Sequence, residues 1–357
     1  MKFTHLFPMM FLAVFGLAHA QEQRILTLFN AQDADGDGRI SAAEAKLLFK
    51  RNFSRMDRNG DQFIDRDELR MPANRRPGGG TAAIPEPDHA NVKYGEHERC
   101  VMDIWLAEGE GRSPVVISVH GGGFVGGDKT LASRAVAEYL GKGVTFVSIN
   151  YPYKNQVPWP EVFPQAVRSI QFLRHYSDRY QIDPNRVAMI GGSAGGGMTL
   201  WALFHDDLAD PDSADPVARE SSKPQCGVAM SAQATYDQLI WHEILGVEEA
   251  AVTALKSREE LASWLGIEAG ELTSAKGIEL RKRIDMLQMI DRHDSPVMLV
   301  NPRPNELPGD LVHHPIHSIA VKEKCDAVGL ECKLILATTP QTERIRNIDF
   351  ILEHLGP

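Results

Sequence analysis

Arg186-Val187-Ala188-Met189-Ile190-Gly191-Gly192-Ser193-Ala194-Gly195-Gly196-Gly197 is the run whose reading decides the fold. Residues 187–190 are a short apolar stretch of the kind that forms a strand buried on both faces. Past Gly197 an apolar stretch of helical character follows, with Met198, Leu200, Trp201 and Leu203. Between the two, Gly191-Gly192-Ser193-Ala194-Gly195 fits G-x-S-x-G, and strand, sharp turn and helix is the context that pattern needs. Such a turn holds the serine in a strained conformation, so its neighbours must be small, and it lifts the hydroxyl above the sheet edge.

Upstream, residues 115–119 form a second buried-strand pattern that runs into His120-Gly121-Gly122-Gly123-Phe124. A Gly-rich turn there exposes backbone N–H groups to a developing oxyanion; with the N–H of Ala194, those of Gly122 and Gly123 are the candidate donors. The order H-G-G-G and then G-x-S-x-G, about seventy residues later, resembles the α/β-hydrolase family. Within it the chain is most similar to the hormone-sensitive-lipase-like and feruloyl-esterase-like branches. The resemblance runs from about 94 to 355 and extends to Gly126-Gly127-Asp128-Lys129, Val162-Phe163-Pro164-Gln165-Ala166-Val167 and Ile182-Asp183-Pro184-Asn185-Arg186.

The pattern along the chain agrees. Residues 100–106, 144–149, 227–231, 296–300 and 332–337 read as further strands, and 131–140 and 162–180 as helices. Strands alternating with helices imply an α/β fold whose mainly parallel sheet is covered on both faces. The long, charged, helical stretch at 237–290 resembles the lid insertion of the α/β-hydrolase type.

A serine needs a base, and the family order is Ser, then Asp or Glu, then His. The loop after the penultimate strand, 301–310, offers Glu306 and Asp310; Asp310 is carried forward as the acid. After the last strand the resemblance implies a histidine, but the chain reads Thr338-Thr339-Pro340-Gln341-Thr342-Glu343. His354 falls in a terminal helix and reads as a surface residue. His313, His314 and His317 follow the acid loop, either as loop and helix-start residues or as the source of the base; His314 is the candidate carried forward.

The amino-terminal part carries a different chemistry. Asp33-Ala34-Asp35-Gly36-Asp37-Gly38-Arg39-Ile40-Ser41-Ala42-Ala43-Glu44 fits the twelve-residue EF-hand loop. Asp33, Asp35 and Asp37 stand at positions 1, 3 and 5, Gly38 at 6, the Arg39 carbonyl at 7 and Glu44 at 12. A second copy begins at Asp57, with Asn59, Asp61, the Phe63 carbonyl and Glu68 as ligands, but Gln62 replaces the glycine. A left-handed backbone at that position costs a non-Gly residue about 1–2 kcal/mol, which makes the second site the weaker one. Ile40 and Ile64 occupy equal loop positions and are expected to form the short bridge between loops. The two loops with a short helix at 45–55 between them resemble bacterial EF-hand and dockerin-type pairs. The segment 21–72 is therefore expected to be a small all-α pair that binds Ca²⁺ in support of folding. It carries ten acidic and nine basic residues, so its carboxylates are concentrated in the loops, as metal ligation requires.

The 357 residues carry a formal net charge of −10, which argues against a nucleic-acid partner. Residues 1–20 read as a secretory signal, with Lys2, an apolar run at 7–17 and Ala18-His19-Ala20 for cleavage, so the mature chain is expected outside the cytoplasm, secreted or periplasmic, without a stable membrane span. Residues 73–92, punctuated by Pro and Gly, read as a linker to the hydrolase-type domain at 93–357. The four cysteines are too few to frame a fold; Cys325 and Cys332 either bridge or stay buried thiols.

Two functions follow. One is a secreted serine hydrolase on carboxylic esters, small or linked to polysaccharide, with a Ca²⁺-binding module. The other is a hydrolase-fold protein that has lost its base and binds a ligand or partner, its EF-hand pair serving as a docking module for a protein.

Overall fold

The computed structural model describes residues 29, 32–35, 37–45, 53, 57, 61–65, 85–132, 135–307 and 309–356. The secretory segment at 1–20, most of the helix expected at 45–55, the ligands Asn59 and Glu68, and residues 73–84 of the linker lie outside them. The chain divides into two compact units, 1–82 and 83–357.

In the first unit, β1 (Arg39–Ser41) pairs antiparallel with β2 (Phe63–Asp65), placing Ile40 opposite Ile64. Both isoleucines are fully buried, in a cluster with Phe29 and Ala45 against which Phe53 packs. Beside its helical character, the unit expected to be all-α therefore carries the two-stranded bridge that the equal positions of Ile40 and Ile64 imply.

The second unit is built on eight strands: β3 (His89–Lys93), β4 (Val101–Trp105), β5 (Ser113–Val119), β6 (Thr145–Ile149), β7 (Ile182–Gly192), β8 (Cys226–Met230), β9 (Val297–Asn301) and β10 (Cys332–Leu336). Their order across the sheet is β10-β9-β8-β7-β5-β6-β4-β3. Strands β5 to β10 run parallel, and β4 and β3 are antiparallel additions at one edge. Because alternate side chains leave opposite faces, each strand feeds two cores. Val115, Ile117 and Val119 of β5 enter one cluster with α2 (Trp159–His175) and α3 (Ala194–Phe204), while Val116 joins the other with α1 (Val136–Leu140). Fully buried β-branched runs on a parallel sheet are the arrangement the sequence pattern requires.

Between β8 and β9 lies the helical insertion: α4 (Trp241–Leu245), α5 (Glu249–Thr253), α6 (Arg258–Leu265), α7 (Ala275–Lys282) and α8 (Met286–Met289). Leu261, Leu265, Leu272, Ile284 and Met286 anchor it in the larger core. Helices α9 (Pro315–Val328) and α10 (Asn347–Leu355) follow β9 and β10.

Several expectations need correction. The helix expected at 131–140 is a 3-10 turn, Lys129–Ala132, followed by the short α1. The helix expected at 162–180 starts earlier, with Pro160 in its first turn where a missing N–H costs nothing, and breaks at Tyr176, beyond which one further helical turn, Ser177–Tyr180, reaches the expected end. The linker stops before residue 89. Its last part forms the edge strand β3 and belongs to the hydrolase-type unit: Trp105 Nε1 donates to Pro85 O at 2.7 Å and Leu106 N to Asp88 Oδ2 at 2.7 Å. An edge strand with one solvated face offers little apolar periodicity, which is why residues 89–92 read as linker. All four cysteines are free and buried. His354 is half-buried rather than on the surface, its ring against Phe350.

Candidate active site

Strand β7 ends at Gly192, and Ser193 takes φ 54° and ψ −120°, a conformation L-residues rarely hold. The strain is offset on both sides: Ser193 N–H donates to Met230 O at 2.8 Å, and its carbonyl accepts Gly197 N–H at 2.9 Å. The turn is so tight that a Cβ on Gly191 would lie 2.3 Å from the Gly195 carbonyl, so only glycine fits. The serine sits half-buried at the C-terminal end of the central strand, as the G-x-S-x-G pattern implies.

Its partner is His313. Ser193 Oγ lies 2.8 Å from His313 Nε2, and His313 Nδ1 lies 2.9 Å from Asp310 Oδ2. With the carboxylate ionised, Nδ1 carries the proton and Nε2 is left free to accept from the serine. The side chains of His313 and Asp310 are about one-quarter exposed, at 22% and 27%. Arg303 Nε stands 3.7 Å from the same Asp310 oxygen, and Arg303 Nη1 donates to Ser231 Oγ at 2.5 Å.

His314, the residue carried forward as the base, is not at the serine. It is buried at the start of α9, where its Nδ1 accepts Ile316 N–H at 3.3 Å and its Nε2 has no hydrogen-bond partner among the described residues. Composition could not separate two adjacent histidines, and spacing does so only once the turn that carries them is known. Asp310 and His313 are three apart, and in the 3-10 turn Leu311–His313 such side chains lie nearly eclipsed. Glu306 is exposed on the same loop and makes no part of the arrangement.

On the other side of the serine, the His120–Phe124 turn is folded by glycines with positive φ: Gly122 at 121° and Gly123 at 63°. Val125 and Gly126 N–H both donate to Gly122 O, and a Cβ on Gly122 would fall 2.0 Å from Gly126 O. The N–H groups of Gly122, Gly123 and Ala194 donate to no protein acceptor among the described residues. The turn is braced from outside by Tyr151 Oη, which donates to His120 O at 2.8 Å; farther along, the buried pair Lys129 Nζ–Asp103 Oδ2 at 2.6 Å ties residue 129 to β4. Phe124 is packed among Trp159, Phe163 and Tyr236.

Nearby, the buried Lys154 ammonium lies over the ring of Trp264 from α6 and that of Trp159 from α2. Burial, with Lys256 nearby, pushes it down to about 7.

In the first unit two hydrogen bonds recur at equal positions of the two loops. Gly38 N–H donates to Asp33 Oδ2 at 3.1 Å as Gln62 N–H does to Asp57 Oδ2 at 3.1 Å; Arg39 N–H reaches Asp37 Oδ1 at 2.8 Å as Phe63 N–H reaches Asp61 Oδ1 at 2.9 Å. Gln62 takes φ 69° where Gly38 takes 84°, the left-handed turn expected there. Carboxylate oxygens of Asp33, Asp35 and Asp37 lie within 4.8 Å of one another, and Asp33 Oδ1 is buried with no hydrogen-bond partner among the described residues. Ser41 hydroxyl and amide hold the Glu44 carboxyl down to about 2 and fold it over the loop. Converging ionised oxygens with one buried lone oxygen fit a hard divalent cation.

The strand order, the elbow serine and the helical insertion define an α/β-hydrolase fold with an EF-hand region before it. The family model BD-FAE matches residues 102–306, more than half of the chain, so the chain belongs to that family; the EF hand model matches 27–46 and 51–71. Two Mycobacterium tuberculosis proteins are similar. "Probable carboxylic ester hydrolase LipM" is 32% identical over 151 residues, 37% of this chain and 35% of the relative; "Esterase LipQ" is 32% identical over 149 residues, 39% and 35%. The match thus spans about a third of the length of these relatives. Among solved structures, "Truncated form of carbohydrate esterase from gut microbiota" superposes with TM-score 0.61 at 17% identity, covering 78% of this chain and 99% of that one. A bifunctional GH43-CE protein from Bacteroides eggerthii gives 0.58 at 18%, covering 75% and 38%. At such identities the superpositions speak for the fold alone.

Proposed function

We propose that this chain is a serine esterase acting on carboxylic esters, acyl groups on polysaccharide hydroxyls among them, and that its EF-hand pair binds Ca²⁺. The observation that carries the esterase reading is the line Ser193 Oγ, His313, Asp310, with contacts of 2.8 and 2.9 Å. The family membership and the names of the relatives support the ester class.

In the mechanism, Ser193 Oγ attacks the acyl carbon while its proton passes to His313 Nε2. Asp310 holds the Nδ1–H tautomer and stabilises the imidazolium. The oxyanion of the tetrahedral intermediate takes hydrogen bonds from the N–H groups of Gly122, Gly123 and Ala194. Collapse breaks the ester bond, and the leaving alkoxide takes the proton from His313. Water, deprotonated by the same imidazole, then attacks the acyl-serine, and Ser193 leaves with the proton returned. The binding-protein alternative rested on the missing histidine after β10; the contact of His313 with Ser193 favours the esterase reading over it.

Turnover of p-nitrophenyl acetate tests the reading. The parent is expected to hydrolyse it and to be labelled by a fluorophosphonate, and Ser193→Ala to lose both; a parent that shows neither would sink it.

In the EF-hand pair, Asp33, Asp35, Asp37 and Glu44 would hold one Ca²⁺, with Asp57 and Asp61 in the second loop; the ion would tie each loop together rather than take part in catalysis. Calorimetric titration should show Ca²⁺ binding, and Gln62→Gly should tighten the weaker step by relieving about 1–2 kcal/mol of backbone strain. No heat on titration, with no effect of chelator on melting, would refute Ca²⁺ binding.

A further inference from the structure

The base stands on a short turn between β9 and α9, and that turn is gripped from below. Three consecutive backbone carbonyls, those of Leu311, Val312 and His313, each accept a hydrogen bond from a different buried side chain. His317 Nε2 lies 3.1 Å from Leu311 O, Gln233 Nε2 2.7 Å from Val312 O, and Asn301 Nδ2 3.1 Å from His313 O. The three donors are 0%, 3% and 0% exposed, and they come from α9, the segment after β8 and the end of β9.

His317 has the most informative chemistry of the three. A carbonyl can only accept, so Nε2 carries the proton. Nδ1 is then an acceptor, and it faces Ala234 N–H at 3.4 Å. The ring is therefore the neutral Nε2–H tautomer, a strut between the segment after β8 and the turn that bears the base. Burial agrees with this, holding the imidazole down at about 4. Trp241 from α4 closes the remaining side, edge-on at 4.9 Å. Apart from this clamp, the turn has backbone support from His313 N–H to Asp310 O at 3.1 Å, a bond that fixes its pitch but not its place above the sheet.

We propose that His317, assisted by Gln233 and Asn301, is a positioning residue: it fixes the Leu311–His313 turn so that the His313 imidazole spans Ser193 and Asp310. This rests on the esterase reading above. A base held at hydrogen-bond distance on both ring nitrogens needs its backbone located to a fraction of an ångström, and misplacement by about 1 Å can cost about 10²-fold in rate. A buried neutral histidine making one bond to each of two loops provides that location.

The test uses the full chain. His317→Ala removes the strut; His317→Gln keeps an amide that can donate to Leu311 O. Two readouts are taken on variants that melt cooperatively. The first is kcat and KM for p-nitrophenyl acetate: kcat should fall about 10- to 100-fold in His317→Ala, with KM nearly unchanged and partial recovery in His317→Gln. The second does not need activity: the far-downfield proton resonance of the His313 Nδ1–H bonded to Asp310, assigned by its absence in His313→Gln. It should be present in the parent and broadened or lost in His317→Ala. Should the parent lack turnover while the resonance still depends on His317, the esterase reading fails and the positioning role stands. A folded His317→Ala that keeps both the resonance and the parental kcat overturns the inference. If His317→Ala does not fold, the same two readouts on His317→Phe, which fills the site but cannot donate to Leu311 O, and on Gln233→Ala decide it, with unchanged values again overturning it.

Discussion

Strands β9 and β10 are parallel neighbours, and their C-terminal ends open onto the same edge of the sheet, yet the two segments that leave them do opposite things. The chain leaving β9 travels over β8 to the end of β7, where His313 meets Ser193. The chain leaving β10 closes on itself. Arg344 donates to Thr339 O at 3.0 Å and to Ala337 O at 2.8 Å, Leu336 N–H donates to Thr339 Oγ1 at 2.8 Å, and α10 begins at once. Near the start of α10, a cleft of about 650 Å³ opens between Arg346, Asn347, Met230, Gly192 and Gly121. The difference teaches that the place of a base in the chain order is less constrained than its place in space. The proposed acid and base, Asp310 and His313, share one turn, so a single loop brings both to the serine, and the alignment needs one backbone held rather than two.

The largest effect should come from removing the base itself. His313→Gln is expected to lower kcat by about 10⁴-fold with little change in KM, because the oxyanion donors and substrate binding remain. His314→Gln, which alters the start of α9, and Thr339→Ala with Gln341→Ala, which alter the turn after β10, should leave kcat close to the parent's. Steady-state kinetics on one p-nitrophenyl ester checks all of these. Loss of turnover from the β10 variant, with His313→Gln still active, would reverse the comparison.

Much of this was legible in the residues. The buried strands announce themselves as apolar runs because a parallel sheet hides both faces, and the glycines at 191, 195 and 122 are dictated by backbone contacts that any Cβ would violate. Of the EF-hand loops, the convergence of Asp33, Asp35 and Asp37 and the left-handed turn at Gln62 were legible, while Asn59 and Glu68 lie outside the described residues. Strand β3 was hidden because an edge strand needs hydrogen bonds more than apolar side chains. The base was hidden for another reason. Which of two adjacent histidines faces Ser193 depends on the pitch of a 3-10 turn and on clamping by Gln233, Asn301 and His317, which sit far from it or in the next helix. The i, i+3 spacing of Asp310 and His313 was the signal available, and it gains weight only once that turn is known.

Acid should separate the two strand ends by a smaller amount. His317 under the β9 turn is buried and held at about 4, against 6.5 for the exposed side chain. Above pH 6.5 it is neutral in both folded and unfolded chains and contributes no slope. Between 6.5 and 4 the unfolded chain binds the proton and the folded chain does not, so stability falls as pH falls. The loss is about 1.4 kcal/mol per unit, approaching about 3 kcal/mol at pH 4. The groups facing His317 shape the shift as well as burial does: His314 and His313 push it down and Asp310 pulls it up, while Trp241 supplies only apolar surface. Urea melts of the parent and His317→Gln across this range isolate the term, since every other titrating group is common to both. The parent's curve should drop toward the variant's as the pH approaches 4. Parallel curves would mean that His317 is hydrated in solution, and the β9 turn would then be held no more firmly than the turn after β10.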